Sequence, residues 1–145
     1  MRAALTLVLL TLVACGGSDN RPAPVNFQEP PPLWNEYTVD YLTTLNLAES
    51  VSLEFTMVEE DTRCPPTTQC VSPGNARILL TYFTPRGTGT VELNTNTSLP
   101  ISALFDYYGV ELRKLDPLPA VVGTPIAPSS YRARLFVVKA ATPPG

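Results

Sequence analysis

From position 34 onward the chain is written in short segments whose apolar and polar residues alternate with period two, separated by clusters of Pro, Gly, Asn and Ser. In "VSLEFTMVE" Val51, Leu53, Phe55 and Met57 alternate with Ser52, Glu54, Thr56 and Val58, the pattern of a strand with one buried face. "ARILLTYFT" from Ala76 is apolar on both faces and predicts a central strand, whereas "GTVELNT" from Gly89, "YYGVELRKL" from Tyr107 and "YRARLFVVK" from Tyr131 place charges on alternate positions. "EYTVDYL" from Glu36 is a weaker segment of the same kind. No amphipathic helix is evident, and "SALFDYY" around Leu104 predicts at most one helical turn. Turn signals at "SPGNA", "TPRGTG" and "NTNTS" have the spacing of an all-β sandwich or barrel. The Pro-rich stretch from Asp116 to Ser130 predicts a long connection draped over an edge strand, where a missing N–H does no harm. The fold expected is all-β, a single antiparallel β-sandwich-like domain over 34–145.

The first residues follow other rules. "MRAALTLVLLTLVAC" has a basic Arg2 and then an apolar run, too short for the roughly 20 residues that span a bilayer. Its end, Leu12, Val13, Ala14 and Cys15, resembles the lipobox of bacterial lipoprotein precursors, where the peptide is cut before a cysteine that carries lipid. That implies a signal peptide over 1–14 and lipidation of Cys15; the alternative is an ordinary secretory signal with a chance cysteine. Residues 15–33, with "GGSDNRPAPVNFQEPPP", have the Gly, Pro and polar composition of a tether that cannot bury enough surface to fold. Lipid on Cys15 would hold the protein to the membrane, at roughly 0.8 kcal/mol per buried methylene. Gly16 after that cysteine points to the outer membrane in a Gram-negative host.

Composition then narrows the chemistry. The 145 residues are 44% hydrophobic, which suffices for one core. Without Arg2, nine basic residues face thirteen acidic ones, a net charge of −4. Such a surface repels phosphate backbones and carries no basic cluster, so nucleic acid is not an expected partner. With Cys15 lipidated, Cys64 and Cys70 are the two thiols left, in a compartment where thiols oxidise, and a disulfide between them is the expected state. A redox centre is disfavoured because five residues intervene where C-x-x-C is wanted. A zinc site is disfavoured because the chain has no histidine. Loop closure by so small a ring is worth about 2.4 kcal/mol.

The same lack of histidine removes a Ser-His-Asp triad. Glu59, Glu60 and Asp61 lack the spacing of a calcium loop and read as a solvated strand end. A carboxylate pair for hydrolysis is conceivable among Glu59, Glu60, Asp61, Asp106 and Glu111, but no spacing marks two of them as partners. Asn96, Thr97 and Ser98 match a glycosylation sequon, read as coincidence in a bacterial chain. Tyr107 and Tyr108 read as core and rim residues and Trp34 as a plug at the domain's edge.

The stretch Asp61, Thr62, Arg63, Cys64, Pro65, Cys70, Gly74 and Ala76 resembles a motif of small uncharacterised bacterial lipoproteins and secreted proteins. It runs acid, Asp, Ser or Thr, Arg, Cys, Pro, four residues, Cys, then Gly, one residue and Ala. "YGVELRKLDPLP" is similar to that group's second landmark, at Tyr108, Leu112, Leu115, Pro117 and Pro119. The chain departs from the pattern at Ser72 and Pro73. The resemblance implies a compact β domain with a short disulfide loop, and no activity.

The expected function is accordingly a lipid-anchored, extracytoplasmic binding or structural module of the cell envelope, with an envelope protein as partner and no cofactor or metal. Its candidate contact surface is the frozen loop bearing Arg63, Thr67, Thr68 and Gln69, because Pro65, Pro66 and the ring lower the ordering cost of binding. The alternatives are an inhibitor of a secreted hydrolase and, in another class, a carboxylate-dependent hydrolase.

Overall fold

The computed structural model describes residues 34–140; the segments read as signal peptide and tether, with Cys15, lie outside the described residues. Eight strands form two antiparallel four-stranded sheets. They are β1 (Trp34–Asp40), β2 (Thr44–Ala48), β3 (Val51–Asp61), β4 (Ala76–Thr84), β5 (Gly87–Asn94), β6 (Ser102–Phe105), β7 (Tyr108–Asp116) and β8 (Arg132–Lys139). One sheet has the order β2-β3-β4-β5 and the other β1-β8-β7-β6. The chain is thus a meander that changes sheet after β1 and after β5 and closes when β8 pairs with β1.

The core is the alternate face of each strand: Leu53 and Phe55 of β3, Ile78 and Leu80 of β4, Leu93 of β5, Val110, Leu112 and Leu115 of β7, and Leu135 of β8 are all nearly inaccessible. Burying each such side chain is worth roughly 1.5–3 kcal/mol. The period-two reading of β3 holds to Phe55 and then breaks. The pairing register slips between Phe55 and Met57, so a bulge at Thr56 turns Met57 outward (47% exposed) and Val58 inward against the core. Thr56 Oγ1, displaced by the bulge, bonds Leu79 O at 3.1 Å.

β4 is central, as its composition predicts, but only one of its faces is covered. In a two-layer sandwich the outer face has nothing to pack on, and Phe83 stays 40% exposed there. "SALFDYY" is not a helical turn: Ser102–Phe105 is β6, which returns as β7 through Asp106 and Tyr107. Asp106 takes φ +49° in that turn, a conformation Asp tolerates, while Phe105 stacks on Tyr82 (5.0 Å) and Tyr108 (5.7 Å) inside. Trp34 is no plug; it lies 62% exposed beside Phe136. The short β2 carried no legible signal. The 117–131 connection contains a 3₁₀ turn at Pro128–Ser130. It faces Val58 to Asp61 of β3, beyond the point where β2 stops pairing with it.

Register places the loops. β1 starts opposite Val138 and ends opposite Arg132, and β7 ends opposite Arg132 as well. The long segments 62–75, 95–101 and 117–131 therefore gather at one end of the sandwich. The tight β4–β5 and β6–β7 turns, Trp34 and Ala140 lie at the other. An eight-residue strand such as β8 separates the two ends by about 26 Å.

Candidate functional site

At the loop end β3 runs out at Asp61 and the chain turns into the ring closed by the Cys64–Cys70 disulfide. Arg63, expected on an exposed contact surface, is buried instead (8% exposed). Its guanidinium holds Asp61 through two bonds, Nε to Oδ1 at 2.8 Å and Nη2 to Oδ2 at 2.7 Å. It also donates to Leu115 O and, at 2.7 Å, to Pro117 O. Tyr131 OH donates to Asp61 Oδ2 at 2.9 Å. The group bolts β3 of one sheet to β7 and to the residue before β8 of the other. Arg63 is drawn inside by the carbonyls of Leu115, on the side of β7 that no strand pairs with among the described residues, and of Pro117, just past the strand's end.

The electrostatics follow from this packing. Burial alone would raise the Asp61 carboxyl, but the hydrogen bonds from Arg63 and Tyr131 and the Arg63 charge outweigh it and hold the acid below its ordinary value. Tyr131 is pushed up to about 12, first by burial and then by its bond to the Asp61 carboxylate.

The remaining motif residues are also occupied. Thr62 Oγ1 accepts from Asn75 N and donates to Asn75 O, both at 3.1 Å. Gly74 has φ +71°, and a Cβ there would stand 1.9 Å from Thr62 O, so no side chain fits. Ala76 is fully buried. Asn75, which carried no signal beyond its place in "PGNA", is a hub. Its Oδ1 accepts from Thr95 N and Asn96 N at 3.1 Å each, and its Nδ2 donates to Asn94 Oδ1 at 2.8 Å. The 62–75 and 95–101 loops are thereby fixed to each other. The short Asx-type run "NTNT" from Asn94 was the signal that could have found this network.

Thr67, Thr68 and Gln69 do lie exposed at the tip, with Cys70 and with Val71, whose side chain is wholly in solvent. The structure therefore brings these three together and sets Arg63 apart beneath them.

Two clefts flank this end. One, of about 360 Å3, lies between Cys64, Pro73 and Gly74, the Thr95–Thr97 loop, and Leu112 to Leu115 of β7. The other, about 270 Å3, is bordered by Glu59, Glu60 and Asp61 and by the 123–128 stretch. Its acids are not placed as a pair: Glu59 is 2.9 Å from Arg77 Nε, and Asp61 is held below its ordinary value, opposite to what a general acid needs. Asp106 lies 3.1 Å from Arg86 and Glu111 3.0 Å from Arg113. A third hollow, over Gly109, sits on the outer face of the β1-β8-β7-β6 sheet, where Trp34, Val138, Gly109 and Leu104 form one cross-strand row. Comparison with known proteins found no matching family model, no matching curated protein and no matching solved structure.

Proposed function

We propose that the protein is a lipid-anchored, extracytoplasmic β domain that serves as a non-catalytic binding or structural module of the cell envelope and presents its loop end to an envelope protein. The observation that carries this reading is the arrangement of the two ends. The chain enters the domain at Trp34, and the disulfide loop lies at the opposite end of the strands. A domain tethered through Cys15 would hold Thr67, Thr68, Gln69 and Val71 away from its membrane. These residues stand on a base fixed by Arg63, Pro65 and Asn75, so a partner meets a surface whose ordering cost is already met by folding.

The test is cross-linking in the native envelope with the partner identified by mass spectrometry. Replacing Thr67, Thr68 and Gln69 together by alanine, with Arg63 and both cysteines kept, is expected to lower the yield of the partner while melting stays unchanged. Equal yield would move the contact surface elsewhere. Cys15→Ser is expected to release the protein from the detergent phase; full retention there would remove the anchor from the reading.

The inhibitor of a secreted hydrolase is the second reading, favoured by Val71, an apolar side chain fully exposed beside a disulfide and prolines. It predicts inhibition of a secreted hydrolase that Val71→Asp abolishes. A carboxylate-dependent hydrolase is the alternative of another class, and turnover of any glycoside that Glu60→Gln eliminates would replace the binding reading.

A further inference from the structure

We propose that the cleft between the disulfide loop and β7 receives an extended peptide carrying carboxylates, which adds as a strand to the free edge of β7. The proposal rests on the binding-module reading and names the ligand class for that end of the domain.

The edge follows from the register. β6 has four residues and β7 nine. Their pairing runs out at Ser102 and Glu111, and Leu112 N is still met by Ile101 O at 2.8 Å. There the neighbour leaves, because Pro100 O is drawn away by Asn94, whose backbone N and Nδ2 both donate to it at 3.0 Å. From Arg113 onward β7 has no strand on that side among the described residues. Arg63 then takes Leu115 O and Pro117 O, which stops an added strand from running further. The result is a short edge with a defined start and end, on the line that β6 would have continued.

The walls suit one extended segment. A strand presents alternate side chains to opposite faces. β7 bulges between Leu112 and Lys114, which turns both Arg113 and Lys114 outward to border one set, while Leu118, 47% exposed with the buried Leu112 and Leu115 behind it, gives the other an apolar floor. Among the described residues no carboxylate lines this cleft, and the charged ones that do are Arg63, Arg113 and Lys114. Asp61 commits Arg63, whereas Arg113 pairs with Glu111 and lies 4.8 Å over the Phe136 ring, and Lys114 pairs with Asp116 (2.7 Å), all in contacts open to solvent on at least one side. Exposed pairs hold weakly, so arriving carboxylates can share those two cations. The volume of about 360 Å3 lies at the small end of ligand clefts, which run roughly 300–1,000 Å3, as fits a few residues of a strand rather than a folded partner. Strand addition draws affinity from backbone bonds and selectivity from the alternating pockets.

The experiment uses the full mature chain in detergent and three fluorescent heptapeptides, acetylated and amidated. In one Glu alternates with Val, in the second Lys replaces Glu, and the third is the acidic peptide methylated on alternate backbone nitrogens. Fluorescence anisotropy is expected to give the acidic peptide an affinity at least about tenfold above the other two, and the double variant Arg113→Glu with Lys114→Glu is expected to reverse the charge preference. Both positions are surface-exposed, and unchanged melting shows that the variant folds. Equal binding of the acidic and Lys peptides, or no binding of either, overturns the proposal, and full binding of the methylated peptide overturns strand addition. Self-association of the wild-type chain that the double variant abolishes makes a second copy the occupant and also overturns it. Should envelope cross-linking recover a partner in equal yield from this double variant, the ligand assignment fails while the binding-module reading stands.

Discussion

The two ends of the sandwich are each crossed by an arginine, and they are crossed very differently. At the loop end Arg63 and Asp61 have side chains 7% and 9% exposed, and the guanidinium also satisfies two backbone carbonyls. At the other end Arg86, in the β4–β5 turn, reaches the β6–β7 turn, with Nη1 3.1 Å from Asp106, Nη2 bonded to Tyr107 OH at 2.8 Å and its guanidinium 4.7 Å from that ring. Arg86 is 58% exposed. Both contacts join one sheet to the other, but only the first is made out of water. There every hydrogen bond lost is lost without replacement, whereas at Arg86 the solvent can substitute. The end with long loops is therefore the one with internal polar fixing, and the end with tight turns manages without it.

The largest expected effect is at the buried bolt. Arg63→Ala leaves Asp61 charged and enclosed and should cost about 3–5 kcal/mol in urea unfolding. Asp61→Ala should cost a similar amount, and the double variant less than the two together, since each single change exposes the other's unmet partner. A loss below about 1 kcal/mol for Arg63→Ala would place it with exposed pairs and erase the contrast. Smaller is the effect of replacing Cys64 and Cys70 by serine. It should not exceed about 2.4 kcal/mol, because Arg63 and the buried Pro65 hold the base of the loop without the disulfide.

The same bolt should give the loop end a pH signature. Asp61 has a folded pKa below 3.8, so its contribution is present above the unfolded value and is lost as pH falls through the folded one. Tyr131 is raised from 10.0 to about 12; its contribution is complete below pH 10.0 and is lost as pH rises through about 12. Unfolding free energy measured from neutral pH toward each limit should decline on both sides. In Asp61→Asn the acid-side decline attributable to this group should vanish, and a curve identical to wild type would show that another carboxylate governs it.

Much of the fold was legible because burial writes itself in the alternation of residues: six of the eight strands show it, β1 only weakly, while the disulfide follows from the cysteine count. The bulge at Thr56 was not, since nothing in "FTMV" announces an extra residue; its consequence is the exchange of Met57 and Val58. β6 was obscured because four residues are too few to display a period. At the candidate site the motif itself was visible, but its role was misjudged at Arg63. A charged residue beside a ring of prolines reads as surface, and only the unmet carbonyls of Leu115 and Pro117, more than fifty residues away, draw it inside. Asn75 is harder to read for the same reason: its partners lie in the 94–96 stretch, whose Asx-type run marks a polar turn without saying which residue it meets.

The smallest effect, and the one that completes the contrast, belongs to Arg86. Its ion pair is screened, so Arg86→Ala should cost no more than about 1 kcal/mol even with the Tyr107 ring contact included. Asp106 is the complication, because its side chain is only 9% exposed. Arg86 is itself 58% exposed, though, so losing it uncovers the turn and lets water reach the carboxylate. The distinguishing observation is salt. The coupling between Arg86 and Asp106 in a double-mutant cycle should shrink as ionic strength rises, whereas the Arg63–Asp61 coupling should hardly change. If the Arg86 pair proves as strong and as insensitive to salt as the buried one, desolvation does not set the difference between the two ends, and the tight turns must be clamped by charge after all.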